Sequence, residues 1–281
     1  MLIGGILVFA ALFAAAMSIG AEGLSWLWIA PVSFVGGVLA LAALAFLFLW
    51  IACQFVDQSK EQEHDSKFYR NMLMLYISAI KTVTRLHIHT QGLEKTPKDG
   101  RFMLVCNHTS LADPVVLLHC FSKSQLAFIS KRENASMFVV GKVMHKMLCQ
   151  TINRENDREA LKTILKCIQL IKDDEASIGV FPEGYIHQDK KLHHFRSGVF
   201  KIAQKTGVPI VVCTLKNTPA FFTTLPKLKR TDVELHLLDV IQPEQYAGMT
   251  TVALGNWVYQ MMAEDLGPEL VSQEEEMQND T

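Results

Sequence analysis

The chain has 281 residues, 49% of them hydrophobic, with 27 Lys and Arg against 28 Asp and Glu for a formal net charge of −1. That length fits one soluble domain plus a membrane segment, and the near-neutral balance excludes the basic footprint of a nucleic-acid partner. The six cysteines (Cys53, Cys106, Cys120, Cys149, Cys167 and Cys213) form no Cys-x-x-Cys pair and mostly lie in apolar runs, which points to buried thiols in a reducing compartment.

Residues 1–20 are apolar and carry no charged side chain except the terminus, and residues 24–52 form a longer apolar run with Trp26, Trp28 and Trp50 toward its ends. The second run exceeds the roughly 20 residues needed to span a bilayer core, and its Trp placement suits an interfacial belt. The first Lys or Arg is Lys60, so the basic n-region of a signal peptide is absent. Lys60, Lys67 and Arg70 follow the second run, whereas the connection near Glu22 holds no basic residue. The expectation is a membrane hairpin over 1–56 with the rest of the chain on the cytoplasmic side.

Residues 57–66 read as a charged hinge. From 67 to 86, Phe68, Met72, Leu75, Ala79, Val83 and Leu86 recur at helical steps, with Lys67, Arg70, Lys81 and Arg85 along the polar side. Either a core helix or an amphipathic interfacial helix fits that pattern. Leu86–Gln91 alternates as a strand, and Arg101–Cys106, Gln125–Ile129, Ser177–Phe181, Val208–Thr214 and Val233–Val240 are further strand runs. Helices are expected over 135–148, from a capping box at Asn156 and Glu159 onward, over 197–206 up to Gly207, and over 244–266. Strands alternating with helices predict an α/β domain over 87–266, with a mixed central sheet flanked by helices. The acidic stretch 267–281 reads as a disordered tail. His87/His89 and His193/His194 lack a carboxylate or Cys at ligand spacing, so no metal and no resident cofactor is expected.

The chemistry concentrates where two buried strands end. Arg101–Cys106 runs into Asn107-His108-Thr109-Ser110-Leu111-Ala112-Asp113-Pro114, and Ser177–Phe181 runs into Pro182-Glu183-Gly184. Carboxyl ends of strands are where functional groups gather in open α/β sheets. His108 and Asp113 are five apart, about 140° on a regular helix, so they meet only through an intervening turn. Thr109 or Ser110 can cap a helix start there, and Pro114 suits its first turn. If the pair meets, Asp113 fixes the imidazole tautomer and His108 serves as general base for a hydroxyl.

With these motifs in order, the chain resembles the glycerolipid acyltransferases, the family of 1-acylglycerol-3-phosphate acyltransferases. His-x4-Asp stands at 108–113, an Arg after a β-like run at Gln150-Thr151-Ile152-Asn153-Arg154, Phe-Pro-Glu-Gly at 181–184 and a Val-Pro-Ile run at Val208-Pro209-Ile210. The resemblance covers roughly residues 85–220. It implies an N-terminal anchor ahead of the sheet and an acyl thioester donor, acyl-CoA or acyl carrier protein. It also implies a lysophosphatidic acid acceptor; another lysolipid, glycerol 3-phosphate, or hydrolysis of a thioester or lipid is the alternative. His108 and Asp113 are then the catalytic pair, and Lys131, Arg154, Glu183 and Gly184 the substrate-binding residues. Ser110 has no Gly-x-Ser-x-Gly elbow around it, so no acyl-enzyme is expected. Family members often continue Phe-Pro-Glu-Gly with Thr-Arg-Ser, whereas this chain reads Tyr185-Ile186-His187, and Arg196 is a candidate to replace the absent Arg.

Overall fold

The computed structural model describes residues 1–19, 21–153, 156–227 and 229–272. Two apolar helices come first, α1 (Leu2–Ser18) and α2 (Trp26–Gln54), packed as a hairpin in which the Gly37 Cα side faces Ala10. Among the described residues α2 is the one helix long and apolar enough to cross a membrane, and α1 is a shorter apolar helix. Next is α3 (Lys67–Val83). The Tyr69 hydroxyl donates to the Ala52 carbonyl and the Tyr76 hydroxyl to the Ala45 carbonyl, so the end of α2 lies along α3.

The remaining elements alternate: β1 (Leu86–Gln91), β2 (Met103–Cys106), α4 (Asp113–Cys120), β3 (Leu126–Lys131), α5 (Arg132–Ala135), α6 (Phe138–Lys146), β4 (Gln150–Ile152), α7 (Asp157–Lys172), β5 (Ser177–Val180), α8 (Lys201–Thr206), β6 (Ile210–Lys216), α9 (Ala220–Thr224), β7 (Thr231–Ile241), α10 (Pro243–Tyr246) and α11 (Thr251–Leu266). The seven strands form one sheet in the order β1-β7-β6-β2-β5-β3-β4. Every neighbouring pair is parallel except β6 with β7. β2 sits in the middle, with Met103 registered against both Ile178 and Ile210.

A central strand covered on both faces reads as a continuous apolar run, and β2, β5 and β6 do. Met103, Val105, Ile178, Val180, Ile210 and Val212 pack with α7, α8 and α11 on one face. Leu104, Cys106, Val211, Cys213 and Leu215 pack on the other with Met72 and Ile77 of α3, Val116 and Leu117 of α4, and Val143 of α6. Each such side chain contributes about 1.5–3 kcal/mol by leaving water. All six cysteines are free thiols, four buried and two half-buried.

Four expectations need correction. The helix expected over 244–266 is two helices, because Gly248 adopts φ +77° and Thr250 opens α11 by accepting the Ala253 N–H. The helix expected over 135–148 is the shorter α6, Phe138–Lys146, preceded by the one-turn α5 that ends at Ala135, whose carbonyl Gly141 approaches so closely that a Cβ would lie 2.0 Å from its oxygen. Arg70 does not lie on a solvated polar side. It is 6% exposed, its guanidinium paired with Asp65 at 2.7 Å and donating to the Leu126 carbonyl. α3 therefore buries Met72 and Ile77 in the domain while Phe68, Leu75, Ile80 and Val83 stay exposed. At α7, Asn156 caps the helix by accepting the Arg158 and Glu159 N–H groups, but Glu159 is bonded by Asn153 instead of closing a box.

Candidate active site

β2 delivers the site at its carboxyl end. The Asn107 side chain continues the ladder past Cys106, donating to the Leu215 carbonyl at 2.9 Å and accepting the Leu215 N–H at 2.7 Å. The main chain is thereby held to β6 while it turns. The turn is closed by Asp113 N–H to the Ser110 carbonyl (3.1 Å) and by Ala112 N–H to the Ser110 hydroxyl (3.2 Å). α4 then starts with Asp113 and Pro114 in its first turn, and the N-cap is Ala112. The expected capping by Thr109 or Ser110 does not occur, because the Ser110 hydroxyl is spent inside the turn and that of Thr109 bonds Thr218 at 3.0 Å.

The turn brings Asp113 back onto the residues before it. Its Oδ2 accepts the Thr109 and Ser110 N–H groups at 2.8 Å each and lies 2.9 Å from His108 Nδ1. Asp113 is fully buried and the His108 side chain is 16% exposed. A carboxylate facing Nδ1 holds the proton there and leaves Nε2 to accept one from a substrate. The imidazole is also fixed from its flat side: it stacks on Phe181 (4.1 Å, 18°), which stacks on Phe128 (5.7 Å, 9°). Gly179 makes that stack possible, since a Cβ there would lie 2.5 Å from the Phe128 ring.

Glu183 is held by main-chain donors from both sides. It is 2% exposed, and its two oxygens accept the His108 N–H (2.7 Å) and the His193 N–H (3.0 Å). The carboxylate ties the base to the loop after Gly184 and orients no arginine among the described residues. Gly184, at φ +90°, donates its N–H to the Phe181 carbonyl and makes the turn that aims Glu183 inward. Burial pushes the Glu183 carboxyl up to about 8, the Asp113 and Asp189 carboxylates add to the rise, and the two N–H bonds oppose it. With a folded pKa above the ordinary 4.5, its contribution to stability is full below about pH 4.5 and lost as pH rises through about 8.

Glu183→Gln sets an amide N–H against one of the two backbone donors. The expected result is a kcat loss of about 10-fold or more with KM changed less than about 2-fold, as for a positioning residue. Its thermal stability should also fall less than that of wild type between pH 4.5 and 8. A raised acceptor KM with kcat intact would instead return Glu183 to substrate contact.

The other expected binding residues divide. Lys131 ends β3 with its side chain 60% exposed and 3.1 Å from Glu133, so it is already paired. Arg154 lies outside the described residues. Sequence reasoning missed Asn107, whose partner is 108 positions away, and Phe181, whose ring stacks on the base. The Asn immediately before the His was the available signal for the first.

The mostly parallel sheet presents a buried His–Asp pair at its carboxyl edge, where functional groups gather in open α/β proteins. Residues 87–216 match the Acyltransferase family model. A chloroplastic 1-acyl-sn-glycerol-3-phosphate acyltransferase of Brassica napus is 36% identical over 135 residues, 48% of this chain and 38% of that protein. The 1-acyl-sn-glycerol-3-phosphate acyltransferase of Borreliella burgdorferi is 29% identical over 150 residues, 53% of this chain and 57% of that one. The crystal structure of the 1-acyl-sn-glycerophosphate acyltransferase PlsC from Thermotoga maritima superposes with a TM-score of 0.59, covering 95% of this chain and 96% of that one at 21% identity, which shows the shared fold. Over this region the chain is similar in sequence to 1-acyl-sn-glycerol-3-phosphate acyltransferases. It spans between 38% and 62% of the length of four such relatives.

Proposed function

We propose that this protein transfers a fatty acyl group from a thioester, acyl-CoA or acyl carrier protein, to the free hydroxyl of 1-acylglycerol-3-phosphate, giving phosphatidic acid. The observation that carries the reading is the Asp113 carboxylate, fixed by two backbone N–H groups and set 2.9 Å from His108 Nδ1. His108 Nε2 removes the hydroxyl proton as the oxygen attacks the thioester carbonyl. The tetrahedral intermediate collapses with loss of the thiolate, which takes the proton back from the imidazolium. A positioned base of this kind contributes about 10²–10⁴-fold. The relatives named for the same reaction support the choice of acceptor.

The acceptor is a membrane lipid, and the apolar helix α2 supports a chain anchored beside it. In this reading 1–56 is the anchor and 57–86 carries the hinge and the interfacial helix. Residues 87–266 are the catalytic domain on the cytoplasmic side; the disordered tail expected over 267–281 does not begin at 267, because Pro268–Leu270 form a 3-10 turn and Leu192 bonds Leu270 and Ser272, and 273–281 lie outside the described residues. Arg154 holds the acceptor phosphate with its planar fork. The test is full-length protein with labelled acyl-CoA and a panel of lysolipids, analysed by lipid mass spectrometry. Lysophosphatidic acid should be the preferred acceptor, and Arg154→Lys should raise its KM more than that of the thioester. Preference for a lysolipid without a phosphate monoester would overturn the acceptor and leave acyl transfer standing.

A further inference from the structure

The family model ends at residue 216, yet α11 and the segment after it reach back to the loop beside the base. α11 comes close because Gly255 carries no Cβ; one there would lie 3.3 Å from the Phe200 ring and 3.5 Å from Ser197 Cβ. One turn further on, the Tyr259 ring stacks on His194 (5.6 Å, 14°) and meets Phe195 edge-on (5.3 Å, 84°). Rings favour these offset and edge-to-face arrangements. Leu192, just before this pair, is tied to the segment after α11. Its N–H donates to the Leu270 carbonyl at 2.8 Å, and its carbonyl accepts the Ser272 N–H at 2.9 Å.

The same stretch of loop is bonded to the base from its other side. The His193 N–H goes to one Glu183 oxygen and the His108 N–H to the other. Arg196 donates its N–H to the Pro182 carbonyl at 2.9 Å, and Phe181, just before that proline, stacks on the His108 ring. Residues 192–196 are therefore held between the C-terminal elements and the turn that sets the imidazole. Burial raises the Tyr259 hydroxyl above its ordinary value and the Glu183 carboxylate adds to the rise, as expected of groups sharing one neighbourhood.

The other end of α11 grips the sheet beside the site. Asp265 accepts the Thr214 hydroxyl at 2.6 Å and the Lys216 ammonium at 3.1 Å, and lies 2.9 Å from His236 Nδ1. Thr214 and Lys216 flank Leu215, the residue whose main chain holds Asn107. α11 thus has a fixed footing on β6, and Tyr259 meets the loop from that footing.

We infer that Tyr259 is a positioning residue for the reaction: its ring sets residues 193–196 so that Glu183 keeps both main-chain donors and His108 stays in place. The inference rests on the acyl-transfer reading above and adds to it a brace from outside the stretch that the family model matches. The contacts are made by the ring, so the ring and not the hydroxyl is what the brace requires.

The experiment uses full-length protein in lipid nanodiscs, with lysophosphatidic acid and acyl-CoA varied independently. Tyr259→Leu should lower kcat about 10-fold or more with both KM values within about 2-fold, because a catalytic group displaced by about 1 Å can lose roughly 10²-fold. Tyr259→Met fills more of the space without a ring and should show the same loss where Tyr259→Leu does not fold. Tyr259→Phe, which keeps the ring, should return kcat to within about 2-fold of wild type. In a Glu183→Gln background, Tyr259→Leu should cost less than about 2-fold more, since both changes act through one contact. An unchanged kcat in the folded ringless variant overturns the inference. So does a Tyr259→Phe rate as low as that of Tyr259→Leu, or a full second loss on top of Glu183→Gln. Should wild type fail to acylate lysophosphatidic acid, the acyl-transfer reading falls, and hydrogen exchange decides the brace separately. The main-chain N–H groups of His108 and His193 should then exchange about 10-fold faster in the ringless variant than in wild type. Equal exchange rates overturn the inference.

Discussion

His108→Ala is expected to lower acyl transfer by about 10²–10⁴-fold, the contribution of a positioned base. The ring is 4.1 Å from Phe181 on one side and bonded to Asp113 through Nδ1, so its removal takes away the proton acceptor while the surrounding elements keep their own contacts. The backbone N–H of residue 108 still reaches Glu183. Thermal unfolding of the variant should therefore stay close to wild type. Phosphatidic acid formation measured with labelled thioester checks the rate. Retention of more than about a tenth of the wild-type rate, well above the expected range, would remove His108 from the base role.

Asp113→Asn should be nearly as damaging, for a different reason. In the wild type one oxygen serves three N–H groups at once, those of Thr109, Ser110 and the imidazole. An Asn can keep its oxygen toward the two main-chain amides and hold the turn. It cannot stabilise the imidazolium that forms when the hydroxyl proton arrives, and it does not fix the tautomer. A kcat loss of roughly 10²–10⁴-fold with a largely preserved fold is expected. Asp113→Ala adds a stability cost of about 1–3 kcal/mol for each buried amide left unbonded. The gap in melting temperature between the two variants separates the structural work of Asp113 from its chemical work. Equal melting temperatures would contradict the three-donor account.

The parts of this design that were legible in the sequence are those encoded within a few residues. The runs Met103–Cys106 and Ser177–Val180 announce buried strands because both faces are covered, and the structure places them side by side. The five-residue spacing of His108 and Asp113 required a turn, and a turn is what joins them. Gly207 ends α8 in the left-handed region, as its position implied. What was not legible depends on distant partners. The burial of Arg70 depends on the Leu126 carbonyl, 56 positions on. The motif of Glu183 is local and gives no sign of its two main-chain donors, which lie 75 and 10 positions away. The antiparallel pairing of β6 with β7 inside a parallel sheet likewise has no local signature.

The central claim is that the His108–Asp113 pair moves an acyl group to a lipid hydroxyl and not to water. The most direct measurement is the partition of a labelled acyl thioester between phosphatidic acid and free fatty acid, with wild-type protein and lysophosphatidic acid present. Label appearing in phosphatidic acid, dependent on the acceptor and absent with His108→Ala, is the predicted result. Label appearing as free fatty acid at the same rate with or without lysophosphatidic acid would contradict it.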